Sequence, residues 1–394
     1  MTRFSDLSWD LIWEIFARVP LTSLNVVRST CKNWNGLTRK QILGQKAAAR
    51  SQFLEFMMIN SSVSSLRCDL QGIQNSIEDD GEDLLDHLSI KQITSIPSNT
   101  KMEITEVFHC DGLLLCLVKE QEDHFRLLVW NPYLGQTKWI QPRNKLYRLD
   151  KHALGYNKNG NHKILSLVDD YDSKNGSSTS GVHIDVYDFS TDSWRFLDVD
   201  PSWDLGWCYN GVSLKGNTYF FGQQITDIVH YVVCFNFETE SFGPRLPLPF
   251  QPPCPCLDIK PLSWVRDEKL AALYYHCETT DIIEIWISTE VEPNAVSWSS
   301  FFTLDLSLIN GLPDGFPNYF ETSFLIDEEK KVAVLFGSER YGRSRKFRYQ
   351  MAYVVGGDGY FKSVNTGIVS SRWVTSGKLV CSSYVPSLVH VLVY

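Results

Sequence analysis

The hydrophobic pattern of the chain changes after about fifty residues. In the first part, apolar residues recur every three or four positions, which is the spacing of helices, and Pro20 ends the first run. From about Gln52 onward, apolar residues instead form short runs separated by Gly, Asn, Asp and Ser, which is typical of strands and turns. The pattern predicts a mainly β protein with a small all-α unit at its N-terminal end.

The all-α unit is predicted to contain three short helices. Ser8 can cap the first helix, a second begins near Thr22 or Ser23, and a third carries Cys31 and Trp34. Three helices within about forty residues bury too little surface to be stable alone, so the unit needs a partner surface. That surface is either the following domain or another protein, and the pattern alone leaves both open.

The β region contains an internal repeat. Each copy has an apolar strand, a polar turn and an aromatic residue that opens the return strand. The clearest copies are Val129-Trp130-Asn131 with Trp139, Val186-Tyr187-Asp188 with Trp194, and Cys234-Phe235-Asn236 with Phe242. Asn131 and Asp188 are 57 residues apart and Asp188 and Asn236 are 48 apart. These spacings are close to the period of roughly 50 residues in kelch-type propellers.

The repeat predicts a β-propeller. Weaker copies follow around Trp286 and around Val354, and a further hairpin precedes each of the five copies, so five four-stranded blades are predicted directly. One hairpin is left over at each end of the β region, Phe53 to Leu70 and Leu379 to Tyr394. The two would combine into another blade and leave no open edge. Six blades are therefore favoured, with seven as the alternative.

Composition and charge exclude several classes of protein. The net charge of −9 disfavours a nucleic-acid binder, which needs surplus Lys and Arg. Residues 1–50 nevertheless hold eight Lys and Arg against three Asp and Glu, which suggests two units with different partners. The acidic run Glu78 to Asp86 is interpreted as part of a long connection, Gly72 to Lys101. No run is long enough to span a membrane and no secretory signal is present, so we expect a soluble, intracellular protein, cytoplasmic or nuclear.

Candidate catalytic and metal-binding groups do not form convincing sites. Cys110 lies between His109 and Asp111, but neighbours in a strand point to opposite faces, so a nucleophile and its base could not meet there. Cys254, Cys256 and the adjacent pair His276-Cys277 have the wrong spacing for a zinc site. We predict no catalytic residue, metal or cofactor.

The N-terminal unit resembles an F-box. The matching residues are Leu7-Ser8-x-Asp10-Leu11-x-x-Glu14-Ile15-Phe16-x-Arg18-Val19-Pro20, Ser23-Leu24 and Arg28-Ser29-Thr30-Cys31-Lys32-x-Trp34. The family usually has proline where this chain has Ser8, which keeps the capping role. The resemblance implies binding to the Skp-type adaptor of a cullin-based ubiquitin ligase. The residues expected at that interface are Leu7, Ser8, Leu11, Ile15, Phe16, Val19, Pro20, Leu24, Val27, Cys31 and Trp34.

The β region resembles the F-box-associated domain of plant F-box proteins. The resemblance rests on His109 to Cys116, Trp130-Asn131-Pro132, Tyr187-Asp188-Phe189 and Leu246 to Pro249, and it spans roughly residues 51–369. It implies a module that recruits a target protein. We therefore expect an F-box at residues 1–45 and a substrate-recruiting propeller at residues 46–394.

Together these features predict a non-catalytic substrate adaptor, which binds a Skp-type adaptor and through it a cullin, and also binds an unidentified target protein. The rival hypothesis is a propeller that binds a glycan or a small molecule without acting in ubiquitination, because propeller folds serve many functions.

The target is expected at one rim of the propeller. Turns within the hairpins are short and share one rim, whereas the connections on the other rim are longer and irregular. Binding residues gather on such loops, and aromatic residues and arginine dominate interface energetics. The predicted target-binding residues on the long connections are Tyr171, Trp203, Trp207, Tyr209, Phe316, Tyr319, Arg340 and Arg343.

Overall fold

The structure is a computed structural model. It describes residues 54–59, 62–68, 88–92, 103–121, 124–147, 150–171, 178–199, 204–205, 211–224, 229–250, 259–265, 268–276, 282–309, 312, 323–340, 348–369, 379–384 and 387–391, with only the backbone at some strand ends. The predicted F-box lies outside the described residues. In the described part, the chain is almost entirely antiparallel strand.

Five blades are each built from one continuous stretch of chain, which confirms the five predicted repeat units but differs from the six blades favoured, and the seven allowed, by the sequence. Blade 1 contains β4 (Glu103–Cys110), β5 (Leu113–Gln121), β6 (His124–Asn131) and β7 (Gln136–Ile140). Blade 2 contains β8 (Lys151–Tyr156), β9 (His162–Tyr171), β10 (Ser178–Asp188) and β11 (Ser193–Phe196). Blade 3 contains β12 (Asp204–Leu205), β13 (Val212–Leu214), β14 (Asn217–Gln224), β15 (Val229–Asn236) and β16 (Ser241–Pro247).

The last two of these blades follow the same order. Blade 4 contains β17 (Ile259–Val265), β18 (Lys269–His276), β19 (Ile282–Glu292) and β20 (Ala295–Asp305). Blade 5 contains β21 (Ser323–Asp327), β22 (Val332–Arg340), β23 (Arg348–Gly356) and β24 (Phe361–Val369). In blades 1, 2, 4 and 5 the first strand is innermost and each later strand pairs outward with the one before it.

A sixth sheet, here the terminal sheet, joins the two ends of the β region. It contains β1 (Leu54–Ile59), β2 (Ser62–Cys68), β3 (Leu88–Gln92) and β25 (Leu379–Tyr384), in the order β25-β1-β2-β3. The described residues contain no strands for a seventh sheet. The innermost strands β25, β4, β8, β13, β17 and β21 contact one another in closed succession, which surrounds a central axis.

The terminal sheet corrects two expectations. The sequence suggested two strands from each end of the β region, but three come from the N-terminal side and one from the C-terminal side. The third, β3, lies inside the segment that was interpreted as connection. Residues 387–391 form no strand, and a side chain of blade 1 binds their backbone instead.

The core lies between the blades. Each blade packs both faces against neighbours, so the central strands are apolar without alternation. In β5, for example, every side chain from Leu113 to Val118 is buried. Clusters of buried residues join the terminal sheet to blade 1, and then blades 1 to 2, 2 to 3, 3 to 4 and 4 to 5.

Two aromatic residues of the repeat link neighbouring blades. Trp194 of blade 2 donates its indole N–H to the backbone oxygen of Gln141, just after blade 1, at 2.7 Å. Trp298 of blade 4 makes the same bond to Pro247 of blade 3, at 2.9 Å. The repeat therefore carries the blade-to-blade contact as well as the hairpin turns.

Candidate target-binding rim

The antiparallel order gives blades 1 to 5 two different rims. The turn rim holds the turns inside each hairpin, such as residues 111–112, 132–135 and 157–161. The loop rim holds the connections between hairpins and between blades, such as residues 141–150. Among the described residues, five that are not glycine have positive φ angles, and all five lie in turns of the turn rim: Asp111, Asp192, Lys215, Glu240 and Lys331.

Charged side chains of the turn rim are paired across blade boundaries. Lys138 of blade 1 binds Asp192 of blade 2 at 2.6 Å, and Lys163 of blade 2 binds Glu240 of blade 3 at 2.5 Å. Lys269 of blade 4 binds Glu328 of blade 5 at 2.6 Å. These ion pairs connect neighbouring blades, so these charged side chains bind one another and hold the blades together.

Asp192 shows how closely these groups are coupled. It accepts hydrogen bonds from Lys138 and from the hydroxyl of Tyr187, and these bonds lower the pKa of its carboxyl. Burial, followed by the bond to Asp192, raises the pKa of the Tyr187 hydroxyl. Asp192 is therefore ionised and Tyr187 neutral near pH 7, and the carboxylate bridges two blades.

The loop rim presents apolar side chains to solvent. Five large hydrophobic residues are exposed in the described part of the chain, and three of them lie at this rim: Tyr147, Val229 and Leu308, at 36%, 43% and 79% exposure. The other two, Trp139 and Phe196, lie on outermost strands. The turn rim carries none of the five. Aromatic and apolar side chains held on a rigid scaffold can serve as anchors for a partner.

Tyr147 is held outward by a local hydrogen-bonded turn. Its backbone N–H donates to Oδ2 of Asp150 at 2.6 Å, and the Asp150 N–H donates to the Tyr147 carbonyl at 3.2 Å. The neighbouring Leu146 is buried, and its backbone forms an isolated antiparallel β-bridge with Phe125 of β6. Lys145 Nζ lies 5.2 Å from the centre of the Tyr147 ring. The connection is therefore fixed at Leu146 and displays an aromatic ring with a cation beside it.

Leu308 is displayed by a 3-10 turn at residues Leu306–Leu308. Oδ1 of Asp305 accepts from the N–H of Ser307 at 2.9 Å and from its hydroxyl at 2.6 Å. This cap turns Leu306 into the core and leaves Leu308 in solvent. The same connection continues towards Phe316 and Tyr319.

The predicted target-binding residues are placed only in part. The backbone puts Tyr171 at the end of β9 and Arg340 at the end of β22, so both end strands at the loop rim and neither lies in a loop. The strands β9, β10, β22 and β23 run further than expected because their pairing continues to Tyr171↔Ser178 and Arg340↔Arg348. Trp203, Trp207, Tyr209, Phe316, Tyr319 and Arg343 lie outside the described residues, as do all the predicted adaptor-binding residues.

One predicted loop contains a strand. Residues 204–205 form β12, which pairs with Gln223 and Gly222 at the inner edge of blade 3. The strand β14 continues beyond Tyr219, which pairs with Val212 at the start of β13. The strand β12 pairs with the backbone of β14 in this extension. The short strand β12 therefore lies at the loop-rim end of β14.

The His109-Cys110-Asp111 motif ends the strand β4 and begins the β4–β5 turn. Nε2 of His109 accepts from the Gly112 N–H at 3.2 Å, so the ring caps the β4–β5 turn. Burial lowers the pKa of His109 to about 4, against the opposing effect of Asp111, so the imidazole stays neutral as this bond requires. Cys110 is buried, and burial raises the pKa of the nearby Cys116 thiol to about 12. Neither thiol is placed to act as a nucleophile.

Metal and membrane features are absent within the described part. No group of three or more His, Cys, Asp or Glu residues there could hold a metal ion. Cys254, Cys256 and Cys277 lie outside it. No helix in this part has the length and apolar character needed to cross a membrane.

Sequence reasoning missed Tyr147, Val229 and Leu308. The connection at residues 141–150 joins two predicted blades, but it was not among the long connections on which target-binding residues were predicted. The sequence offers one signal for such exposed residues, namely an apolar residue beside a strand end. This signal is weak, because Leu146 and Leu306 are also apolar residues near strand ends and yet are buried.

Comparisons with known proteins agree on the two parts of the chain. The F-box associated beta propeller domain matches residues 54–391, and the F-box domain matches residues 4–46. The F-box protein At3g49510 of Arabidopsis thaliana is 60% identical, over 99% of this chain and 100% of its own length. The F-box/kelch-repeat protein At3g13680 of the same plant is 46% identical, over 99% and 97%.

Proposed function

The chain belongs to the F-box proteins that carry an F-box-associated β-propeller domain, and on that basis we propose that it is a substrate-recognition subunit of an SCF-type (Skp–cullin–F-box) ubiquitin ligase. The F-box at residues 1–45 binds a Skp-type adaptor and thereby a cullin. The propeller at residues 46–394 binds a target protein. The subunit itself performs no chemistry; it raises the concentration of the target near the catalytic subunits.

The difference between the two rims supports a choice of target-binding surface. Charged groups of the turn rim are bound to neighbouring blades, whereas the loop rim displays Tyr147, Val229 and Leu308 to solvent. We propose that the target binds at the loop rim. Tyr171, Trp203, Trp207, Tyr209, Phe316, Tyr319, Arg340 and Arg343 are the candidate residues from the sequence, and Tyr147 and Leu308 join them.

The path of the chain supports the same orientation. Leu54 begins β1 opposite Tyr384, at the turn-rim end of β25. The F-box match ends at residue 46, so the eight intervening steps span at most about 27 Å. The chain therefore enters the described part of the propeller on the turn-rim side, opposite the loop rim that we propose for the target.

We further propose that the terminal sheet acts as a sixth blade. Its innermost strand β25 contacts both β21 of blade 5 and β4 of blade 1. A ring closed in this way has no exposed inner edge and can hold the loop rim rigid for binding.

Adaptor binding is tested by co-purification with a Skp-type adaptor. We expect the full chain to bind at about micromolar concentration or below. A charged residue at Leu11 or Ile15, as in Leu11→Asp, should abolish binding, whereas Lys158→Ala on the turn rim should not. A folded chain that does not bind the adaptor would overturn the proposal.

Target binding is tested by proximity labelling with the Leu11→Asp chain, which retains targets without degrading them. We expect Tyr147→Ala with Leu308→Ala, or Trp203→Ala with Trp207→Ala, to reduce labelling of specific proteins tenfold or more. Lys158→Ala serves as the control on the opposite rim. If only Lys158→Ala reduced the labelling, the target would bind at the turn rim. If the chain bound a glycan and labelled no specific protein, the result would favour a propeller that binds glycans and does not act in ubiquitination.

A further inference from the structure

Residues 387–391, here called the strap, cross the turn rim of blade 1. The strap leaves the innermost strand β25 of the terminal sheet and reaches the outermost strand β7 of blade 1. It forms no strand, yet it is bound along its length. Val391 at its end is fully buried and Ser387 at its start is 6% exposed.

Asn131 binds the backbone of the strap. Its side-chain amide donates to the Ser387 carbonyl at 3.0 Å and to the Val389 carbonyl at 2.9 Å. Its oxygen accepts from the N–H of Leu134 at 3.0 Å and thereby closes the β6–β7 turn. One side chain thus holds its own turn with its acceptor and the strap with both donors.

Gln136 binds the end of the strap. Its Oε1 accepts from the Val391 N–H at 3.3 Å, and its Nε2 lies 3.0 Å from Nδ1 of His390. The Val391 side chain then enters the cluster of buried residues between blades 1 and 2, beside Leu113, Leu127 and Tyr187. Val389 packs against the same cluster.

We propose that Asn131, Gln136 and the buried cluster that Val391 joins form a binding site for an extended peptide, occupied by the chain's own residues 387–391. Two amide side chains bind backbone groups at alternate positions, and a pocket takes one aliphatic side chain. This is the chemistry of sites for extended peptides, in which backbone bonds supply affinity and a pocket supplies selectivity. The match to the propeller family extends to residue 391 and so includes the strap.

The site predicts that the strap binds when supplied separately. A chain that ends at residue 386 should melt about 5 °C or more lower than the full chain, because the Val391 pocket and its hydrogen bonds are lost. A fluorescein-labelled peptide of residues 387–394 should bind this truncated chain, raise its melting temperature, and show at least tenfold weaker binding to the full chain. The same peptide with Val391→Asp should not bind. A folded truncated chain with no affinity for the peptide overturns the proposal.

Asn131→Asp in the full chain tests the site without truncation. Aspartate keeps the oxygen that closes the turn, as Asp188 and Asp327 do in other blades, but removes both donors to the strap. We expect faster hydrogen exchange at residues 387–391 and a melting temperature about 3 °C lower. Asn236→Asp is the matched control, because Asn236 closes its turn by accepting from Glu238 and Thr239. Equal behaviour of the two variants would show that Asn131 acts on its turn alone and would overturn the proposal.

Discussion

The two rims of the propeller differ in what their side chains bind. On the turn rim, acids and bases meet across blade boundaries, and the strap covers blade 1. On the loop rim, the described connections hold buried anchors such as Leu146 and Leu306 while their neighbours Tyr147 and Leu308 face solvent. One rim therefore stabilises the ring, and the other has side chains available for a partner.

This difference follows from the order of the strands. Turns within a hairpin are short because antiparallel neighbours need only a few residues between them. Connections between blades must cross from an outermost strand to the next innermost one, so they are longer and tolerate variation. Substitutions on the turn rim should therefore change stability, whereas substitutions on the loop rim should change binding.

The largest expected effect on stability is at Gly155, near the turn-rim end of β8. A Cβ atom there would lie 2.2 Å from the Phe237 ring and 2.5 Å from the Gly216 carbonyl of blade 3. Gly155→Ala should reduce the free energy of unfolding by about 3 kcal/mol, because rigid groups would have to move. Gly160→Ala, with open space around it but a φ of +76°, should cost only about 1 kcal/mol. Urea unfolding compares the two, and equal losses would mean that the blade contact is not tight.

Charge pairs of the turn rim should differ in strength according to burial. Glu240 binds Lys163 and Arg195, and the Glu240 and Lys163 side chains are only 13% and 8% exposed. Glu240→Gln should cost about 2 kcal/mol, since the buried ammonium of Lys163 loses its nearer carboxylate and keeps only Asp188, at 3.9 Å. Glu238→Gln removes the exposed pair with Lys158 and should cost far less than Glu240→Gln, because solvent screens that pair. A similar loss in both variants, measured by thermal unfolding, would show that burial does not set the strength of these pairs.

Acid should weaken the packing beneath the loop rim through His152. This side chain is fully buried beside Phe108, and burial lowers its pKa to about 3, with Lys151 contributing. In the unfolded chain, the imidazole takes up a proton near pH 6.5, whereas in the folded chain it stays neutral down to about pH 3. The stability that the neutral His152 contributes is therefore complete above pH 6.5 and is lost as the pH falls towards 3. At pH 5 the loss is about 2 kcal/mol.

The variant His152→Leu should therefore lose less stability than the parent chain between pH 7.5 and pH 5. The exposed residue His124 provides the control, as His124→Gln, which should follow the parent. Parallel curves for all three chains in urea unfolding would exclude His152 as the source of acid sensitivity.

The smallest expected effect on stability is at Leu308. Its side chain is largely in solvent, so Leu308→Ser should change the free energy of unfolding by less than about 0.5 kcal/mol. Binding of a target should nevertheless weaken about tenfold if Leu308 is an anchor. Calorimetry and target capture on the same preparation separate the two effects; a clear fall in melting temperature with unchanged capture would assign Leu308 to the fold.

Much of the propeller could be predicted from the sequence, because each blade is a local structure. A blade needs apolar runs of strand length and turns at fixed intervals, and both are visible around Asn131, Asp188 and Asn236. The sequence did not predict the strand β3, because the strand is short and lies next to an acidic run in a long segment. It did not predict the strap either, because residues 387–391 have the apolar pattern of a strand but bind side chains on blade 1.

The sequence by itself determined the repeat, the turn residues and the five continuous blades, since these depend on contacts between residues close along the chain. Only the tertiary structure decided which apolar residues face solvent, which charges meet across blades, and how the two ends of the β region combine. Asn131 and Val389 are far apart in the sequence, and no local pattern indicates that one binds the other. Contacts of this kind depend on how the packing of the sheets around the central axis brings distant segments together.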